Sequence, residues 1–479
     1  MSSYQLLAVI VILAFEQHYS VESTEVHILC NSEIANNSNF HLVLILLLLL
    51  LFIPIFFLTK GGGVYEIIMN RLASSSAIIT KICVRDVNKP RDFQIDPTKT
   101  QVVTDISSII NDDSIDLVIE VAGGTTFAKD AVFDALKGGK SVVTANKALI
   151  AEYLDEIETL VNELNADNST KGVKFSYEAS VCGGIPIIHT LQSAYKGDII
   201  NEISGIANGT TNFMLGKMED GADYDDVLKE AQDLGYAEAD PTADVAGHDV
   251  RAKIAILAKL AFGITVPIDT IPCIGITEIS VVDFAYAKSM GCTIKLVGTA
   301  VRQSEFGEHD GALSVYVSPK LVPLNHLLAS ATGCGNAVAV DSANLGTASF
   351  TGPGAGRYAT ANSVVADAMR VVNGTCPSSP FPMVSNSIDI DNDFESAFYI
   401  RISFQDGLGI IRSVGDLAES QGVSIHSILQ QPITDRMAAD TVVTTEACKF
   451  SRVKALCELI EKEDFALSAP VFFPMISDY

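Results

Sequence analysis

The sequence predicts an α/β protein built on a doubly wound parallel sheet, with an α+β second domain and a C-terminal βαββαβ module. Three observations carry this. Apolar strands alternate with helical stretches between residues 61 and 147, a central region dense in small residues and carboxylates breaks that alternation, and a Pro/Ser-rich segment precedes a last strand–turn–helix–strand pattern. A chain of 479 residues exceeds one ordinary domain, so two or three separate cores are expected.

Charge removes one class of function. With 58 acidic against 32 basic residues the net charge is −26, and no dense Lys/Arg run offsets it, so a phosphate backbone would be repelled and nucleic acid is not a partner. The nine cysteines (Cys30, Cys83, Cys182, Cys273, Cys292, Cys334, Cys376, Cys448, Cys457) form no C-x-x-C pair and read as reduced core thiols.

Residues 1–60 are atypical. His41–Leu58 is long and apolar enough to propose a transmembrane span. Leu6–Phe15 has signal-peptide length without a basic n-region. From Gly61 onward the chain looks like a nucleotide-binding unit already under way, so residues 16–60 divide between a non-native insertion, such as translated intron, and a genuine anchor or leader. In a third arrangement Leu7–Ile12 is a displaced first strand and the rest an inserted loop, which would be unusually long. The address stays open between cytoplasm, plastid and membrane.

Each later element has its own pattern. Gly61–Leu72 sets Gly61, Gly62 and Gly63 before an amphipathic helix, and Ile79–Asp86 is an apolar strand ending in charge. Ile115–Thr126 is a buried-type strand running into a Gly-Gly turn, followed by a helix and the strand Ser141–Lys147. Strand–helix alternation of this kind implies a Rossmann-like parallel sheet whose ligands sit beyond the strands' carboxyl ends. There lie Gly123, Gly124, Thr125, Thr144, Asn146 and Lys147. Only the end of a G-x-G-x-x-G fingerprint, Gly61–Gly63, is recognisable, and the first strand is missing or displaced. Arg85 ends the second strand, with Lys89 and Arg91 nearby, favouring a 2′-phosphate and hence NADP(H) over NAD(H).

The central region, 176–351, is the expected substrate domain. Tyr177–Ile188 pairs a carboxylate with a Gly-Gly-Ile-Pro turn, and Ile203–Leu215 reads as a strand breaking into an Asn-Gly turn with a helix cap. Gly235–Lys253 holds Glu238, Asp240, Asp244 and Asp249 within twelve residues. Past Gly247 the pattern turns helical, so Asp249 and Lys253 share one face. An isolated pair of that spacing is ordinarily a solvated ion pair worth about 0.3–0.5 kcal/mol; the carboxylates upstream and the glycine-rich approach argue instead for chemistry.

TANKALIA, YEASVCGGIPII, NGTTNFML and GYAEADPTADVAGHDVRAK, in that order, resemble the motifs of homoserine dehydrogenases, the resemblance running from about Gly61 to the C-terminus. It implies reversible NAD(P)H-dependent reduction of L-aspartate 4-semialdehyde to L-homoserine in threonine, isoleucine and methionine biosynthesis. By the same resemblance Lys253 is the acid/base, Lys147 sits between nicotinamide and substrate, and Glu238 and Asp249 hold substrate with Asp244 in support. Gly235 and Gly356 approach the cofactor. Glu178, Val181, Gly183 and Ile185 resemble a sodium site. Gly352–Met369 resembles the segment returning to the nucleotide domain, assigned 61–175 plus 352–375.

Beyond a linker at 376–394, residues 395–479, with Asp406, Gly407 and Gly409 at a turn, resemble an ACT domain, implying an amino-acid effector such as threonine; a packing or dimerisation module is the alternative. A homodimer or homotetramer is expected. The truncated fingerprint leaves two competitors, a catalytically impaired homologue that binds an amino acid or partner and a membrane-tethered oxidoreductase.

Overall fold

The computed structural model of the chain describes residues 9–12, 60–72, 77–166, 172–303, 311–381 and 388–476. The first sheet comprises β1 (Val9–Ile12), β2 (Ile79–Cys83), β3 (Gln101–Val103), β4 (Leu117–Glu120), β5 (Ser141–Thr144) and β6 (Phe175–Ser176). Its order is β3-β2-β1-β4-β5-β6, and every neighbouring pair is parallel. That is the order of a Rossmann-type dinucleotide-binding sheet, whose ligand crevice opens at the switch point between β1 and β4. The first strand is therefore displaced in sequence and present in space: Val11 pairs Ile82 on one side and Ile119 on the other. His41–Leu58 lies outside the described residues, among which no helix is long and apolar enough to cross a membrane.

Helix α1 (Lys60–Glu66) begins one residue before the glycines, which therefore lie inside its first turn rather than ahead of it. A Cβ on Gly62 would stand 2.7 Å from Phe93, and one on Gly63 2.9 Å from Arg357 and 3.0 Å from Ala361. Those two glycines let another helix approach closely. Helices α2 (Thr126–Lys137) and α3 (Lys147–Ala166) follow β4 and β5. α2 buries Ala128, Ala131, Val132, Ala135 and Leu136, one apolar stripe at three- and four-residue spacing.

Beyond β6 the chain passes through α4 (Ile187–Ser193), β7 (Ile200–Ile206), α5 (Gly209–Glu219), α6 (Tyr224–Asp233), α7 (His248–Phe262), α8 (Val281–Ser289), β8 (Cys292–Gln303), β9 (Ala312–Pro323), β10 (Gly335–Ser342) and β11 (Gly346–Pro353). The strands form a second sheet, β11-β10-β7-β8-β9, antiparallel throughout. α7 packs on it and is apolar nearly all round, from Val250 to Phe262, as a helix covered on both sides must be. Helix α9 (Arg357–Val372) then returns to lie on α1; Ala361, Val364 and Val365 share a core with Val64, Ile79 and Ile119.

The segment expected as a linker is anchored at its start. Phe381 is buried against Tyr177, whose hydroxyl donates to the Pro380 carbonyl at 2.8 Å. The C-terminal part is β12 (Glu395–Ser396), β13 (Phe398–Phe404), α10 (Ile410–Ser420), β14 (Ile425–Gln430), β15 (Ala439–Thr445), β16 (Cys448–Lys449), α11 (Phe450–Ile460) and β17 (Val471–Pro474). Four strands form one sheet, β14-β15-β13-β17, while β12 and β16 pair separately. The eight described cysteines are free thiols.

Candidate active site

The site starts at the first turn of α7. Gly247, at φ 83°, carries the chain into the helix in a left-handed conformation, and a Cβ there would meet the Cys273 sulfur at 3.0 Å. One turn later, Lys253 Nζ donates to Asp249 Oδ2 at 2.8 Å, both side chains under a tenth exposed. This is not the solvated pair that its spacing alone allows. Buried charges need further partners, and the loop between β7 and α5 supplies them. Lys253 also donates to the Ala207 carbonyl at 2.5 Å, and Asp249 Oδ2 accepts from Asn208 Nδ2 at 2.8 Å. The other Asn208 bond reaches Asp244 Oδ1 at 2.7 Å. From the first sheet, Lys147 at the start of α3 pairs with Asp249 Oδ1, its side chain 42% exposed. One carboxylate thus joins the two halves of the molecule.

The charges set the protonation states. Burial works against the Lys253 ammonium, but Asp249 more than offsets it and the pKa is raised. Burial likewise opposes the Asp249 carboxylate, yet Lys253 and Lys147 pull it well below the usual range. Asp244 moves up, through burial first and the Asp249 charge among lesser causes. Lys60, exposed over part of its surface, has a pKa lowered by burial and then by the ammonium groups of Lys147 and Lys253. An ammonium kept protonated and fixed on two acceptors can give a proton to an oxygen on which negative charge develops.

On the nucleotide side a residue overlooked in the sequence organises the turn. Glu120, fully buried at the end of β4, accepts from Ala122 N at 2.7 Å and Gly123 N at 3.1 Å, and from Thr144 Oγ1 at 2.6 Å. Asn146 Nδ2 donates to the Gly124 carbonyl at 2.6 Å. Gly123 and Gly124, at φ 78° and 74°, have nothing within 4 Å of where a Cβ would stand, and neither has Gly356 at φ 123°. The open glycine faces of Gly123 and Gly124 just past β4, with Gly356 at the start of α9, fit a dinucleotide, which requires close approach to the backbone. Thr125 opens α2 beside them. A carboxylate at a strand end reads as polar edge until its partners are known, so no sequence signal marks Glu120.

Other candidates fall elsewhere. Glu238 is exposed and outside the Asp249 network, its carbonyl accepting from Gln232. Gly235, at φ 74°, closes the turn after α6. Arg85 is exposed just past β2. The Glu178 carboxylate is committed internally: it accepts from Ile188 N at 2.9 Å and His189 N at 2.7 Å and faces His189 Nδ1 at 3.2 Å. Burial, against His189, lifts its pKa to about 7. That side chain does not fit a cation ligand. Gly183 O accepts from Ser363 Oγ at 2.6 Å and Ile185 O from Ile187 N at 2.8 Å. Among the described residues no group of three or more His, Cys, Asp or Glu could hold a metal ion.

Comparison with known proteins agrees with this geometry. Residues 60–178 match the family described as homoserine dehydrogenase, NAD binding domain, and residues 186–369 the family described as homoserine dehydrogenase. The homoserine dehydrogenase of Bacillus subtilis is 38% identical over 412 residues, 82% of this chain and 92% of that protein. That of Synechocystis is 38% identical over 420 residues, 85% and 94% of the two. The crystal structure of a homoserine dehydrogenase from Thiobacillus denitrificans superposes with a TM-score of 0.77 at 31% identity, covering 87% of this chain and 96% of that one. A hyperthermophilic archaeal homoserine dehydrogenase in complex with NADPH has a TM-score of 0.52 at 25% identity, over 66% and 94% of the chains.

Proposed function

Because the chain belongs to the homoserine dehydrogenase family and carries its activity, an NAD(P)-dependent oxidoreduction at a CH–OH group, we propose that Lys253 is the group that exchanges a proton with the substrate oxygen. The reaction interconverts L-aspartate 4-semialdehyde and L-homoserine and belongs to amino-acid biosynthesis. The single observation that carries the assignment is the buried Lys253–Asp249 pair, with the half-exposed Lys147 on the other carboxylate oxygen. Asp249 holds Lys253 protonated, so in the reductive direction its ammonium donates to the aldehyde oxygen and offsets the developing alkoxide charge. A bound nicotinamide would supply the hydride. Lys147 stands between cofactor and substrate, Asp249 and Asp244 orient the substrate end, and Glu238 would reach substrate from the rim.

Gly123, Gly124, Thr125, Thr144 and Gly356 would hold the dinucleotide, with Gly61 and Gly235 at its margins and Gly62 and Gly63 serving the α1–α9 contact. Arg85 at the end of β2 supports NADP(H) over NAD(H). The resemblance supports a monovalent cation, sodium, at the carbonyls of Val181, Gly183 and Ile185; the Glu178 carboxylate, expected beside them, is taken up by Ile188 N and His189, and no catalytic step is assigned to the cation. The strand order of the C-terminal sheet supports an ACT-like module; an effector such as threonine and assembly as a homodimer or homotetramer follow from the resemblance alone.

The test is homoserine oxidation by purified protein with NADP+ and the Lys253→Ala variant. A loss of roughly 10²- to 10⁴-fold in kcat is expected on removing the proton-transfer group. Retention of parental kcat in the variant would overturn the role of Lys253.

A further inference from the structure

A side chain between β7 and α5 ties the substrate carboxylates together. The ordinary account of Asn208 is a helix cap, since its Oδ1 accepts from Thr211 N at 2.8 Å and from Thr211 Oγ1 at 3.0 Å. A cap uses only that oxygen. The amide nitrogen is spent elsewhere, one hydrogen to Asp244 Oδ1 at 2.7 Å and one to Asp249 Oδ2 at 2.8 Å. The main-chain donor Thr211 N fixes which end of the amide is oxygen, so the nitrogen must face the carboxylates. Asn208 is 4% exposed, and both ends of its amide are occupied.

We propose that Asn208 is a positioning residue for the reaction, a two-pronged donor that sets the spacing of the Asp244 and Asp249 carboxylates and keeps both as acceptors facing the substrate. Two neighbouring carboxylates repel each other and tend to share a proton. An uncharged NH₂ between them relieves the repulsion without competing for the Lys253 proton. The residue before it, Ala207, holds Lys253 through its carbonyl, so one turn of backbone places the proton donor and aligns its counterions. Because the motif NGTTNFML begins at Asn208, the turn serves the site as well as the helix start.

The inference rests on the proton-transfer role of Lys253, and Asn208→Asp separates the two. That variant keeps the shape and the capping oxygen but replaces both donors with a carboxylate. It is expected to unfold at a lower temperature, because a third carboxylate is buried against two others, to lose about 10²-fold in kcat/KM through misplaced groups, and to shift the acid limb of its pH profile upward as three carboxylates share protons. Parental kcat/KM with an unmoved profile, which a capping role alone would produce because the capping oxygen is kept, overturns the proposal, and so does an activity loss without any shift of the acid limb. Should Asn208→Asp fail to fold, Asn208→Ser keeps a cap and a single donor. A fall in kcat/KM at unchanged thermal stability is then expected, and parental kcat/KM overturns the proposal. If Lys253→Ala is inactive while the Asn208 variants are parental, this inference alone fails; an active Lys253→Ala removes the reading beneath it.

Discussion

The proton on Lys253 has a pH signature. Its pKa lies above that of an ordinary lysine because Asp249 outweighs the penalty of burial, so the ammonium persists through neutral pH and is lost only as pH climbs past the raised value. Reduction of the aldehyde uses the ammonium and should stay level through neutral pH. Oxidation of homoserine uses the free amine and should rise with pH over about pH 7 to 10. Asn in place of Asp249 removes the opposing charge, lowers the lysine pKa and should bring the oxidative rise to lower pH; an unmoved rise in pH–kcat profiles would refute the pairing. The pair was legible in the sequence because residues four apart on a helix share a face. Asn208, 41 positions before Asp249, was legible only as a cap, since its nitrogen's partners come from another element.

Among the elements, β1 departs furthest from ordinary chain order. It lies between β2 and β4, yet 47 residues separate Ile12 from Lys60 (60 − 12 − 1). A chain beginning at Lys60 leaves two parallel strands with unpaired inner edges and is expected to lose NADPH binding in a fluorescence titration. Joining Ile12 directly to Lys60 through a turn of about four residues, an ordinary length for this connection, should preserve it. Unchanged NADPH affinity in the chain lacking β1 would show that the strand is dispensable. Apolar runs and glycine turns marked β2, β4, β5 and their helices. The position of Gly62 and Gly63 inside α1 was not legible, because what requires glycine there is Phe93 and Arg357 from distant segments.

For the whole molecule, the C-terminal module docks on the catalytic half through several contacts, among them Tyr286 with Asp440 and Gln431 and the stacking of Tyr316 on Phe394, and a cluster around the buried Asp283 ties the two together. Arg401 Nε donates to Asp283 Oδ1 at 2.7 Å, Tyr399 Oη donates to the same oxygen at 2.8 Å, and Ser280 caps α8 through Asp283 Oδ2. Met in place of Arg401 would leave a buried carboxylate short of its cation, at a cost of about 3 kcal/mol. Earlier unfolding in urea and faster amide exchange in β13 and β15 are the expected readings; an unchanged urea midpoint would deny the cluster a stabilising role. By itself the sequence determined the parallel α/β class, the βαββαβ ending, the family and the Asp249–Lys253 turn, because these depend on local periodicity and on motifs contiguous in the chain. Only the tertiary structure decided that Val9–Ile12 completes the first sheet, that Lys147 reaches Asp249, that Glu178 caps α4 and that Asn208 bridges two carboxylates. Each is a contact between different elements rather than within one, and such partners are chosen by packing and burial, which no local pattern encodes.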